Sequence, residues 1–141
     1  RARQNMALNG SAERAEFVEA NVFDYLREKA SAAGARGSFD MVILDPPAFT
    51  KTRSAAESAL RGYKEINLRA AQLLTDGGIL VTASCSHHVD EASFFGVVQS
   101  ALADARRRAR LLERRGQGRD HPVLAGVPET GYLKYLAFQM V

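Results

Sequence analysis

The chain is predicted to fold as a doubly wound α/β sheet, mostly parallel, with an antiparallel last strand. Three observations carry this. Apolar runs of strand length alternate along the chain with stretches of helical periodicity. One run, Met41–Leu44, is apolar without alternation, the pattern of a strand covered on both faces. Two of the apolar runs end in residues able to do chemistry, at the edge where open α/β sheets hold ligands.

The elements follow in order. Residues 1–8 read as the end of a helix, stopped by Asn9-Gly10. Residues 16–22 alternate apolar and polar and predict a strand ending at Asn21. Phe23, Leu26 and Ala30 have helical spacing, and the two glycines within 32–38 form a loop. The run Met41–Leu44 follows and ends on Asp45, Pro46 and Pro47. Each proline biases the residue before it away from helical dihedrals, so a stiff extended loop should hold the Asp45 carboxylate over the sheet edge. The alternative is a buried strand and turn, with Asp45 capping a helix.

Leu60, Tyr63, Ile66, Ala70 and Leu73 mark a long amphipathic helix over 56–74. Asp76-Gly77-Gly78 should turn into a second buried strand, 79–84, with Cys85 at its end. A helix over 90–109, a short strand at 110–114, a loop holding Asp120-His121-Pro122 and a last strand over 132–140 complete the order. There is no internal repeat or linker, so one domain is expected. The chain opens on Arg1, inside a helix without a cap, and is expected to be part of a longer protein.

Composition excludes little. With 141 residues, 46% apolar and 25% charged, the chain can bury a real core. No apolar run approaches a membrane span. One cysteine allows no internal disulfide and suits a reducing cytoplasm. A net charge of +3 permits a nucleic-acid partner without demonstrating one.

Asp45 and Cys85 are the candidate catalytic pair, because each ends a buried strand. A thiol flanked by Ser84 and Ser86 has hydrogen-bond donors at hand and can form a thiolate, although a lone cysteine also serves as core filler. His87 and His88 are adjacent, diverge in direction and cannot easily share one metal; no zinc spacing exists. Asn21 offers a donor and an acceptor to a base, or is a turn residue satisfying its own backbone. Arg61, Tyr63, Lys64 and Asn67 share a helix and could meet phosphates or a base, or form a solvated face. The basic run 106–110, with Arg114 and Arg115, is an RNA-contacting or merely solubilising surface. No Gly-x-Gly-x-x-Gly or Walker loop is present.

Asp-Pro-Pro-Ala-Phe (45–49), Arg-Gly-Tyr-Lys-Glu-Ile-Asn (61–67), Gly-Gly-Ile-Leu-Val-Thr-Ala-Ser-Cys-Ser (77–86), Asp-His-Pro (120–122) and Gly-Tyr-Leu-Lys (131–134) occur in this order over nearly the whole chain. Together they resemble the class I S-adenosylmethionine-dependent methyltransferases of the large-subunit ribosomal RNA cytosine-5 type. The resemblance implies a Rossmann-like sheet of order 3-2-1-4-5-7-6 with strand seven antiparallel, of which 1–141 would be the C-terminal part of the catalytic domain. The first two strands, the glycine-rich cofactor loop and an N-terminal RNA-binding domain would lie outside it.

The resemblance further implies that Cys85 is the nucleophile and Asp45 the acid beside cofactor and base. Asn21, Asp45, Pro46 and Pro47 would bind S-adenosylmethionine, with Asn21 departing from the commoner aspartate. Phe49, Lys51, Arg61, Tyr63 and Lys64 would meet ribosomal RNA. Methylation of an adenine or guanine amino group, which needs no thiol, is the rival reaction. A non-catalytic RNA- or protein-binding module is the rival class. Unpaired strand edges also predict self-association.

Overall fold

The computed structural model describes residues 1–50 and 52–141, apart from the side chain of Arg53. Four strands form one sheet: β1 (Phe39–Leu44), β2 (Leu74–Ser84), β3 (Ala109–Arg115) and β4 (Lys134–Met140), in the order β1-β2-β4-β3. The strand β1 runs parallel to β2, whereas β4 is antiparallel to both β2 and β3. The last strand is therefore the reversed one, as expected, and the order matches the 4-5-7-6 portion of the class I sheet.

Four α-helices accompany the sheet: α1 (Ala2–Leu8), α2 (Val22–Ser31), α3 (Ala56–Leu73) and α4 (Glu91–Asp104). Helix α3 joins β1 to β2, and α4 leads from β2 towards β3. The strand order advances one way through both connections. Crossovers of one hand then lay both helices on the same face. Leu80 and Thr82 of β2 and Leu136, Phe138 and Met140 of β4 face this layer, with Tyr63, Ile66, Phe94 and Val98 completing the core. Burying side chains such as Ile66, Leu80 and Phe94 contributes about 1.5–3 kcal/mol each.

Two expectations are corrected here. The described helices do not sandwich the sheet, and β1 is not covered on both faces: Met41 is 52% and Ile43 64% exposed. A continuous apolar run reports that both faces avoid polar side chains, but not that both are covered within the chain. The predicted strand over 16–22 does not form either. Ala15 is extended, but among the described residues no strand lies alongside to take the backbone donors and acceptors of the segment that follows. Arg3 ties the segment to α1, with its guanidinium 5.4 Å from the Phe17 ring centroid.

Other boundaries shift for local reasons. Strand β2 already begins at Leu74, directly after α3. Phe39 pairs with Leu74 and Met41 with Ile79, so the Asp76-Gly77-Gly78 turn is a bulge inside β2 with Gly77 at φ +82°. Helix α4 stops at Asp104, short of 109, because Arg106 adopts φ +54°. The Arg107 and Arg106 N–H groups then donate to the carbonyls of Leu102 and Ala103, both at 2.9 Å, a Schellman closure without glycine.

Candidate functional site

The carboxyl end of β1 opens into a cleft of about 460 Å³ whose wall includes Asn21, Phe23, Asp45, Pro46, Pro47 and Phe49. Asp45 is exposed at its rim. Pro46 and Pro47 have no N–H to satisfy, so the chain can leave the sheet without stranding a donor. Phe49 folds back onto α3, 4.5 Å from the Tyr63 ring centroid and 5.6 Å from that of Phe23. Gly62 makes this possible, since a Cβ there would stand 3.1 Å from the Phe49 ring. Asn21 reaches the cleft as the N-cap of α2, its Oδ1 accepting from the N–H groups of Phe23 at 2.9 Å and Asp24 at 3.4 Å. The turn-residue reading of Asn21 therefore holds for its oxygen. Its Nδ2 donates to no described residue.

On the neighbouring strand, alternation separates Cys85 from its flanking serines. Ser84 and Ser86 are buried towards the helices, and Cys85 is half-buried. The Tyr63 hydroxyl lies 2.9 Å from the Oγ of both serines, and the Ser86 N–H donates to Ser84 Oγ. Leu44 is in register with Thr82, which puts Asp45 level with Ala83. With strands about 4.8 Å apart and a rise of about 3.3 Å per residue, the Cα atoms of Asp45 and Cys85 are roughly 8 Å apart. Cys85 stands beside the Asp45 cleft rather than in its wall.

Lys134 was not among the candidate residues. It pairs with Ser84 across the β2–β4 ladder and is 6% exposed. Its ammonium donates to the carbonyl oxygens of Ser86 at 2.6 Å and Tyr132 at 2.8 Å. Burial pushes its pKa below the usual lysine range, opposed by the negative charges that Cys85 and Asp90 can carry. Among the described residues no carboxylate lies within ion-pair distance of it. A lysine opening a strand that is otherwise apolar apart from Gln139 is the sequence signal that could have found it.

The remaining candidates disperse. Tyr63 is fully buried, so its place is beneath the Cys85 loop and not against a substrate. Lys64 pairs with Asp104 at 2.7 Å; Asp104 ends α4, about 20 Å along the helix from the edge where it starts, so Lys64 is drawn away from the site. Arg61 is exposed and 3.7 Å from Glu57. Asn67 is buried and donates to the Tyr63 carbonyl. Lys51 lies outside the described residues. The basic run is not one surface: Arg107 is buried, donating to the Thr75 carbonyl at 2.8 Å, and Arg114 lies over the Phe95 ring and pairs with Glu91. His87 and His88 are exposed on the turn before α4.

Comparison with known proteins gives a consistent picture. No family model matches the chain. It is 47% identical over 138 residues to the ribosomal RNA large subunit methyltransferase I of Photobacterium profundum, covering 96% of this chain and 34% of that protein. The protein of the same name from Klebsiella pneumoniae is 43% identical over 141 residues, covering 99% of this chain and 34% of the relative. The chain thus spans about a third of the length of the curated relatives it matches. Among solved structures, SMU.776, described as a methyltransferase complexed with SAH, superposes with a TM-score of 0.72 at 16% identity over 98% of this chain and 36% of that one. A protein from Streptococcus mutans described as a SAM-dependent methyltransferase gives 0.67 at 16% identity, over 85% and 29%. The structural likeness shows the fold alone, a Rossmann-like α/β sheet.

Proposed function

We propose that residues 1–141 form the C-terminal part of the catalytic domain of an S-adenosylmethionine-dependent ribosomal RNA methyltransferase. In this proposal the methyl group goes to position five of a cytosine through a Cys85 adduct. The names of the relatives support rRNA methylation. One structural observation carries the finer reading: between two buried serines Cys85 alone is open, on the strand next to the one that presents Asp45.

The cleft beside Asp45 fits the cofactor in kind. Phe23, Ile43, Pro46 and Phe49 offer an apolar wall, and the uncommitted Asn21 Nδ2 offers a donor for a heterocycle acceptor. When bound, the cofactor supplies an electrophilic methyl group. The protein's part is to make the base a nucleophile. The Cys85 thiolate adds to position six of the ring, and the displaced ring electrons make position five able to attack. Asp45 hydrogen-bonds the amide-like edge of the ring and favours the adduct. After transfer, the proton at position five leaves to a base, and its bonding pair re-forms the ring double bond and expels the thiolate. The ammonium of Lys134 provides the positive charge against which the thiolate forms. The base must be unstacked from the RNA to reach Cys85.

The test is trapping. RNA carrying 5-fluorocytidine has no proton to lose at position five, so with S-adenosylmethionine the intact gene product should form a denaturation-resistant complex. Cys85→Ser should abolish it. Methyl transfer that survives Cys85→Ala would instead indicate an amino-group target.

A further inference from the structure

We infer that a second cleft, beyond Cys85 and separate from the Asp45 cleft, is a stacking site for an unpaired base of the RNA strand, next to the base that reaches Cys85. The cleft is about 550 Å³, within the usual range for ligand sites, and its wall includes His87, Asp120, His121, Pro122, Leu124 and Tyr132. It thereby gives a role to the Asp120-His121-Pro122 and Tyr132 motifs. The inference rests on the RNA-methylating function proposed above.

The chemistry of the wall selects a base. The half-buried Tyr132 ring has its centroid 5.8 Å from that of His87 and 6.3 Å from that of His121, the latter pair edge-on. Three flat π-systems converge on one opening. Unpaired bases are bound by just such surfaces, and each stacking contact contributes about 1–3 kcal/mol. The imidazole nitrogens and the Asp120 carboxylate supply donors and an acceptor for a base edge. Among the described residues no lysine or arginine belongs to the lining, which suits a base better than a phosphate. Leu124 is 53% exposed, apolar surface a stacked ring would cover.

The cleft is built, and it is joined to Cys85. Thr130 Oγ1 accepts from the Leu124 N–H at 2.8 Å and donates to the Val127 carbonyl at 2.7 Å, and Gln117 donates to the Thr130 carbonyl. Tyr132 Oη lies 3.4 Å from His121 Nδ1. Lys134 grips the Tyr132 and Ser86 carbonyls together, which locks one wall of the cleft to the residue after Cys85. His87 is two residues from Cys85, at most about 7 Å of chain.

The experiment uses Cys85→Ser protein, which can form no adduct, and a short single-stranded cytidine-containing RNA with 2-aminopurine beside the cytidine. Binding is read by fluorescence anisotropy and stacking by quenching. His121→Ala, on an exposed residue, should weaken binding about fivefold or more, and Tyr132→Ala about tenfold, with loss of quenching. Tyr132→Phe, which keeps the ring, should stay within about twofold. Duplex RNA of the same length should be insensitive to all three. Unchanged affinity and quenching in His121→Ala and Tyr132→Ala would overturn the inference, as would an equal loss for duplex RNA. The two proposals fail separately. An adduct on 5-fluorocytidine RNA with binding indifferent to His121 and Tyr132 sinks the base site alone. Stacking that depends on them, without any adduct, sinks the cytosine-5 reaction alone.

Discussion

The Lys134 ammonium lies 2.6 Å from the Ser86 carbonyl oxygen, so a side chain on β4 fixes the backbone immediately after Cys85. A buried cation held by carbonyls, with no carboxylate among the described residues, is costly on its own, and an adjacent anion offsets that cost. Lys134→Met should therefore slow alkylation of Cys85 by iodoacetamide at pH 8 several-fold, whereas Lys134→Arg should retain most of the rate. Circular dichroism separates loss of charge from loss of fold. Equal alkylation rates in wild type and Lys134→Met would remove the ammonium from the account.

Tyr63→Phe leaves the ring in place between Phe49 and Phe94 but removes the shared partner of the buried Ser84 and Ser86 hydroxyls, leaving Ser84 Oγ only the Ser86 N–H. An unsatisfied buried polar group costs about 1–3 kcal/mol, and urea unfolding should show a loss of that size. A neutral result would mean that the two serines re-pair with each other.

Gly62→Ala sets two effects against each other. Alanine in a helix gains about 1 kcal/mol over glycine. The new methyl would meet Phe49 at 3.1 Å, and that ring is already packed on Phe23 and Tyr63. Overpacking costs about 1–3 kcal/mol, so the expected net effect is a lowered Tm with shifted Phe49 aromatic resonances. A rise in Tm would show that Phe49 yields freely.

Asp90 caps α4, accepting from the Ser93 N–H at 2.7 Å, and that bond holds its carboxyl below the usual carboxylate range. A depressed folded-state pKa stabilises fully above the unfolded value near about 3.9, and the contribution is lost as pH falls through the lower folded value. Asp90→Ala should cost about 1 kcal/mol at neutral pH. Asp90→Asn should keep most of the cap while flattening the acid limb of the stability–pH curve. An unchanged acid limb would assign the pH dependence to other carboxylates.

Strand β1 pairs only with β2 among the described residues, and Met41 opens to solvent beside the unpaired edge. Exposed apolar edges promote strand addition. Residues 1–141 should associate with increasing concentration in light scattering, and Met41→Lys should reduce it. A monomer at all concentrations in the unsubstituted chain would contradict this.

Much of the site was legible in one dimension. The apolar run ending in Asp45-Pro46-Pro47, the helix carrying Tyr63 and the strand ending in Cys85 each depend on local periodicity and turn chemistry, and each lies close to its predicted place. What failed depended on partners. Alternation over 16–22 could not disclose that no strand lies beside it, and an unbroken apolar run could not disclose that Met41 and Ile43 face outward. Tyr63 and Lys64 were both candidates to meet RNA until packing buried the first, on the apolar stripe its spacing already marked, and Asp104 drew off the second.

By itself, then, the sequence determined the kinds and order of the elements from 22 onwards and the two chemical groups at the strand ends, because dihedral preference and hydrophobic period act over a few residues. Only the tertiary structure decided that Lys134, 49 positions beyond Cys85 by their numbering, grips the loop that holds it, and that His87, His121 and Tyr132 share one opening. Antiparallel pairing of β4 with β2 brings those residues together, and that pairing is a property of the sheet as a whole rather than of any stretch within it.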